Sequence, residues 1–173
     1  VPVLTQLTDK AQVTAIDWVL NYQWTERFNI GISTEIYDYN ATFKESFAIA
    51  PTEKRATLSG LWDNQQWRIS TAATWVASRN LSDYGYTGFD KNNGSGNKPT
   101  MAPAFFNVDT KIAYQLSSNV QLYFGALNLF DYNQAGDESS PLLFDESGGY
   151  NVTYIFAPMR GRTAYIGFDL DFG

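Results

Sequence analysis

The stretch Thr163-Ala164-Tyr165-Ile166-Gly167-Phe168-Asp169-Leu170-Asp171-Phe172 alternates without a break. Side chains point to opposite faces of a strand at successive residues. Ala164, Ile166, Phe168, Leu170 and Phe172 therefore share one face. Thr163, Tyr165, Gly167, Asp169 and Asp171 share the other. One side is wholly apolar, and the opposite side carries two carboxylates.

Six earlier stretches repeat this pattern. From Gln12, Thr14, Ile16, Trp18, Leu20, Tyr22 and Trp24 oppose Ala15, Asp17, Asn21 and Gln23. After Glu26-Arg27, Phe28, Ile30, Ile32, Thr34 and Ile36 oppose Asn29, Gly31, Ser33, Glu35 and Tyr37. A looser segment from about Asp38 to Glu53 follows. Then Ala56, Leu58, Gly60 and Trp62 oppose Arg55, Thr57 and Ser59, up to the turn Asp63-Asn64-Gln65-Gln66. Trp67, Ile69, Thr71, Ala73 and Trp75 oppose Arg68, Ser70, Ala72, Thr74 and Val76. Beyond the long Asn80–Ala104 loop, Val108, Thr110, Ile112, Tyr114 and Leu116 oppose Asn107, Asp109, Lys111, Ala113 and Gln115. Ser117-Ser118-Asn119 turns the chain. Val120, Leu122, Phe124 and Ala126 then oppose Gln121, Tyr123 and Gly125. Parity slips at Asn128, which predicts a bulge or the strand's end. The connections alternate short and long.

Composition narrows the function. The net charge of −6 argues against nucleic acid, whose phosphates need a cationic field. The chain has no cysteine and no histidine, so disulfides, thiolate metal sites and His-based catalysis are excluded. No catalytic residue, metal or cofactor is expected. No apolar run is long enough for a transmembrane helix, and no signal peptide is expected within these residues. The mean hydropathy of −0.29 is a poor guide, because a strand with one apolar face averages to neutrality.

Strands of about 9–11 residues suit a tilted crossing of the hydrocarbon layer. Outer-membrane barrels combine short turns at one end, long loops at the other, an apolar outer band with aromatic girdles, and a polar lumen. Trp67 and Trp75 stand eight residues apart, a height of roughly 19 Å at a 45° tilt. Trp18, Trp24, Trp62, Trp67 and Trp75 are the girdle candidates. Asp17, Glu35, Arg55, Arg68, Asp109, Lys111, Asp169 and Asp171 are the candidate lumen-facing polar residues. The expected fold is an all-β transmembrane antiparallel barrel. A soluble β-sandwich binding module is the competing fold, and its strands would be nearer 5–6 residues with no regular loop alternation.

The last seventy residues or so resemble the C-terminal end of a TonB-dependent outer-membrane receptor. The resemblance rests on Phe106-Asn107-Val108-Asp109, on Gly125-Ala126-Leu127-Asn128-Leu129-Phe130-Asp131-Tyr132, and on Arg160-Gly161-Arg162-Thr163 leading to Phe172. Ala11 to Asp17 is similar to a strand opening found further upstream in such receptors. The resemblance implies that residues 1–173 form about seven C-terminal strands of a 22-stranded barrel, without its plug domain. It implies uptake of a scarce, bulky ligand — an iron–siderophore chelate, cobalamin or a glycan — energised by TonB acting through the absent plug. Implied partners are outer-membrane lipid, lipopolysaccharide and the remainder of the receptor. A complete eight-stranded barrel serving as anchor or adhesin is the alternative membrane reading.

On either membrane reading the long loops face outward from the cell. Tyr84, Tyr86, Phe89 and Lys91 are the candidates for ligand contact, since aromatic rings and a cation can hold a chelate by stacking and charge; the competing reading is that they pack the loop against its neighbours or meet lipopolysaccharide. Asp90-Lys91-Asn92-Asn93-Gly94 lacks calcium-loop spacing and reads as a turn. Asp137, Glu138, Asp145 and Glu146 read as solvated acidic loop.

Overall fold

The computed structural model describes residues 10–46, 51–85, 100–134 and 155–171. β1 (Val13–Thr25), β2 (Phe28–Tyr39), β3 (Lys54–Asp63) and β4 (Trp67–Val76) follow one another, the helix α1 (Ala41–Ser46) lying between β2 and β3. β5 (Arg79–Asn80) and β6 (Met101–Ala102) form a short ribbon. β7 (Phe105–Ser117), β8 (Val120–Leu127) and β9 (Thr163–Leu170) complete the series. The main sheet has seven strands in the order β1-β2-β3-β4-β7-β8-β9, every neighbouring pair antiparallel.

The register carries the alternation across the whole sheet. Phe28, Trp62, Ile69, Ile112, Phe124 and Ile166 stand in one row from β2 to β9. Trp18, Thr34, Ala56, Trp75 and Phe106 form another, nearer the long loops. No described element packs over this face. Ile166 is 84% exposed and Phe168 63%. The competing sandwich is therefore corrected: a sandwich buries its apolar face against a second sheet, and here that face is bare. β1 and β9 are the two edges and do not pair with each other, so the described sheet is open, not a closed eight-stranded ring.

Turn chemistry sets the short ends. At the β3–β4 turn Asn64 Oδ1 accepts from Trp67 N at 2.7 Å, and Asp63 Oδ1 accepts from Gln65 N at 2.8 Å. This is the local bonding for which Asp and Asn are favoured in turns. At the β7–β8 turn Asn119 Nδ2 donates to the carbonyl of Asp171 at 3.1 Å, tying the turn to the end of β9. The strand pairing shifts beside two of the turns, at Gln23/Thr25 and at Gln115/Ser117.

β8 and β9 interlock on the polar face. Tyr123 pairs with Gly167, and Tyr165 with Gly125. A Cβ on either glycine would strike the opposing tyrosine ring, so each ring lies flat over a residue with no side chain. The two rings meet edge to face, their centroids 6.2 Å apart.

The outer end is knitted differently. β8 stops at Leu127 because Asn128 and Asp131 adopt φ of 52° and 62°, outside the extended range. Asn128 N donates to Asp109 Oδ1 at 2.8 Å, and Leu129 N donates to the Val108 carbonyl at 2.7 Å. The Asn128 amide donates to the carbonyls of Tyr132 (2.6 Å) and Arg160 (3.3 Å). Asp131 Oδ1 accepts from Arg162 N at 2.6 Å. The Asn-Leu-Phe-Asp element is thus a clasp joining β7, β8 and the lead into β9.

Candidate functional site

The polar face of the sheet is one candidate surface and the outer loops are the other. Toward the loops, Arg55 Nη2 meets Glu35 Oε1 at 2.7 Å, and the Tyr37 hydroxyl donates to Glu35 Oε2 at 3.2 Å. Asp17 stands opposite Glu35 in the register. Toward the turns, Arg68 Nη2 meets Asp63 Oδ2 at 2.7 Å. Asp169 lies opposite Gln121, and Asp171 bonds by its backbone to Asn119. Both arginines are about half exposed, so each pair contributes about 0–1 kcal/mol and serves mainly to fix side-chain positions.

Between these ends lies a concavity of about 520 Å³. Its floor is small, with Gly31, Ser59 and Ala72, and Asn21, Lys111 and Tyr165 stand around it. Lys111 Nζ sits 4.1 Å from the centroid of the Tyr123 ring. Asp109, two residues away, is engaged by Asn128 N and by Asn107 Nδ2 at 3.2 Å.

Four of the girdle candidates, Trp18, Trp62, Trp67 and Trp75, lie on the opposite, apolar face, at two heights, and Trp24 stands in the bulge beside the β1–β2 turn with its ring centroid 6.2 Å from that of Phe28. Trp24, Trp62 and Trp67 are near the turns, with Trp67 against Tyr114 at 4.6 Å between centroids. Trp18 and Trp75 are in the row nearer the loops.

The outer loops share a small core of Leu81, Tyr84, Ala102 and Phe156, with Tyr39 and Ala157 against it. Asn40 caps α1 by accepting from Phe43 N at 2.9 Å, and its amide donates to the Lys10 carbonyl. Asn80 and Gly85 (φ 82°) bound the 3-10 turn Leu81–Tyr84.

Tyr84, expected to meet a ligand, is turned inward and only 3% exposed. Its hydroxyl donates to Glu53 Oε1 at 2.7 Å, and Lys44 Nζ lies 5.4 Å from its ring centroid. Burial, reinforced by the Glu53 carboxylate, holds the phenol far above its ordinary range, so it stays protonated as a donor. Tyr86, Phe89 and Lys91 lie outside the described residues.

Arg79 is also buried here, with Nη1 3.5 Å from Thr52 Oγ1 and Nη2 3.4 Å from the Phe156 carbonyl. Burial lowers its pKa. Gln134 Oε1 accepts from the backbone of Phe156 and Ala157 at 3.0 and 3.2 Å. The sequence offered no sign of these roles for Arg79, Glu53 and Gln134, because their partners lie far along the chain and obey no period.

Replacing Tyr84 with Phe is expected to cost the loop cap about 1.5 kcal/mol, since it removes a hydrogen bond to a carboxylate. Native-state hydrogen exchange should show faster opening at the Tyr37 and Leu81 amides, which bond to the carbonyls of Glu53 and Thr100, with β8 unchanged. Equal protection in both proteins would show that the bond holds nothing.

Solved structures place this arrangement. The open form of the ferric-catecholate import receptor Fiu from E. coli K12 superposes with a TM-score of 0.56 at 13% identity, over 92% of this chain and 21% of that one. The copper transporter OprC gives 0.61 at 18% identity, over 92% and 23%. The ferric enterobactin receptor PfeA of Pseudomonas aeruginosa, in complex with BCV-L6, gives 0.64 at 16% identity, over 92% and 22%. The fold is that of a TonB-dependent receptor barrel wall. The chain spans about a fifth of the length of these TonB-dependent receptor structures. No family model matches the sequence, and no curated protein matches it. Among the described residues, no group of three or more Asp or Glu side chains is placed to hold a metal ion.

Proposed function

We propose that the chain is the C-terminal part of the wall of an outer-membrane TonB-dependent transporter. Its apolar face meets lipid and lipopolysaccharide, and its polar face lines the lumen. A single observation carries this reading. One face of a seven-stranded sheet is bare and apolar across its whole width, while the other holds the ion pairs. In water such a face would be an aggregation surface far larger than a soluble monomer tolerates. In lipid it is the required surface.

The open edges fit the same reading. Unpaired strand edges are not tolerated at hydrocarbon depth, so further strands of the receptor close the ring beyond β1 and β9. A plug elsewhere in the receptor gates the lumen, and TonB acts on that plug. The role is transport, not catalysis. A bulky iron chelate is the cargo favoured by the likeness to two ferric-catecholate receptors; copper, cobalamin and glycans are the other cargo classes to test.

The test is uptake of radiolabelled ferric enterobactin by cells whose only catecholate receptor is the one containing this chain. Saturable uptake that stops when TonB is deleted is expected, with the receptor in the outer-membrane fraction. Uptake indifferent to TonB, or a receptor recovered in the soluble fraction, would overturn the proposal.

A further inference from the structure

The polar-face carboxylates of the main sheet divide by position. Those on inner strands are engaged: Glu35 by Arg55 and Tyr37, Asp63 by Arg68, and Asp109 by Asn128 N and the Asn107 amide. Asp17 on β1 and Asp169 on β9 differ, because neither side chain makes a hydrogen bond or ion pair with a described residue. β1 and β9 are the two open edges. The contrast is sharpest at Asp17, which stands opposite Glu35. Asn40 N donates to the Gln12 carbonyl at 3.1 Å, and the register runs unbroken from there to Gln23, so the even-numbered residues of β1 turn their backbone groups to β2. Asp17 and Glu35 are therefore a non-hydrogen-bonded pair, the kind whose Cα atoms approach to about 4.5 Å and whose side chains are closest. Like charges directly opposite are destabilising. Arg55 does not relieve Asp17, because it stands across Glu35 on β3 and is bonded to Glu35 at 2.7 Å. The row holds two acids and one base.

We infer that the strand completing the wall beyond β1 carries a lysine or arginine opposite Asp17, on the lumen side. The same backbone alternation turns the N–H and C=O of Asp17 away from β2, toward the open edge. A strand docking there bonds Asp17 directly, and the residue opposite it shares its face of the sheet. With a base in that place the row reads base, Asp17, Glu35, Arg55, and each acid has a base of its own. The residues on either side of that base oppose Ile16 and Trp18, so they are apolar and meet lipid. Residues 1–9, which adjoin β1 in sequence, hold neither lysine nor arginine. The basic strand belongs to the receptor outside these 173 residues. The inference rests on the proposal that the sheet is part of a barrel wall, and it adds what the missing neighbour must present to this edge.

Two measurements on the intact receptor in vesicles test this. In a disulfide scan, Asp17→Cys is combined with single cysteines placed in turn along the lumen-facing positions of the receptor's other strands. Directly opposed residues of an antiparallel pair lie within disulfide reach, and this chain has no cysteine to compete. The position that cross-links in highest yield should be lysine or arginine in the unmutated receptor. The second measurement is the urea midpoint of Asp17→Asn. Loss of an ion pair should lower the midpoint, and raised salt should shrink the drop by screening the pair. Without an opposing cation the same substitution only relieves Glu35, and the midpoint would hold or rise. A cross-linked position that is uncharged or acidic, or a midpoint that does not fall, would overturn the inference and leave the barrel wall standing. Absence of a cross-link at every position would overturn both, so the two failures are distinguishable.

Discussion

Ile166→Arg should lower the stability of the receptor in phospholipid bilayers by about 2–4 kcal/mol, the cost of a cation on the lipid face near the midplane. Ile166 is the position for this test because it is 84% exposed and stands on the apolar face in the middle of β9. Asp169→Arg, three residues on and on the opposite face, should change stability by less than about 1 kcal/mol, because a lumen-facing cation stays hydrated. Urea titration of both variants in vesicles, followed by tryptophan fluorescence, gives the comparison. The size of the loss is the decisive feature. A surface isoleucine facing water can be replaced by arginine at little cost, usually within about 0.5 kcal/mol. A neutral Ile166→Arg variant would mean that the apolar face does not meet lipid, and the membrane reading would fall.

Asn128→Ala should destabilise the wall by about 2–5 kcal/mol, through a different cause. Asn128 is 6% exposed, and its amide satisfies two backbone carbonyls. Truncation leaves those carbonyls unpaired in a part-buried place, at about 1–3 kcal/mol. It also puts alanine at φ 52°, which costs a further 1–2 kcal/mol or so. Asn128→Gly separates the two contributions, since glycine accepts that backbone at no steric cost. Asn128→Gly should therefore recover about 1–2 kcal/mol relative to Asn128→Ala in the same urea titration. If both variants match the unmutated protein, the Asn-Leu-Phe-Asp clasp is not what holds β7, β8 and β9 together at their outer end.

The sheet was readable from sequence because its signal is strictly local. A period of two places Trp18, Leu58, Ile112 and Ile166 on one face whatever their partners are, and the register confirms every such placement. The slip at Asn128 was readable as a fault in the period, and it is the end of β8. Partnerships were not readable. Glu35 and Arg55 were each assignable to the polar face, yet their 2.7 Å ion pair follows only once the strands are aligned. The loops were the hardest part. α1 and the β5–β6 ribbon lie in segments read as irregular, because the elements are short and stabilised by contacts between loops. Tyr84, in a glycine-rich loop, was readable either as a ligand contact or as packing for the loop, and no local signal chooses between them. Its burial depends on Glu53, Lys44 and Phe156, none of which is adjacent in sequence.

The alternation that defines the wall has a blind spot. Sliding β9 along β8 by one residue would turn its greasy side inward, but sliding it by two would keep both sides as they are. Tyrosine and glycine break that degeneracy. A slide one way sets Tyr123 head-on against Tyr165; the other way sets Gly125 against Gly167 and leaves a hole. Bulk meets emptiness twice in only one alignment, so these four residues act as a vernier for β9.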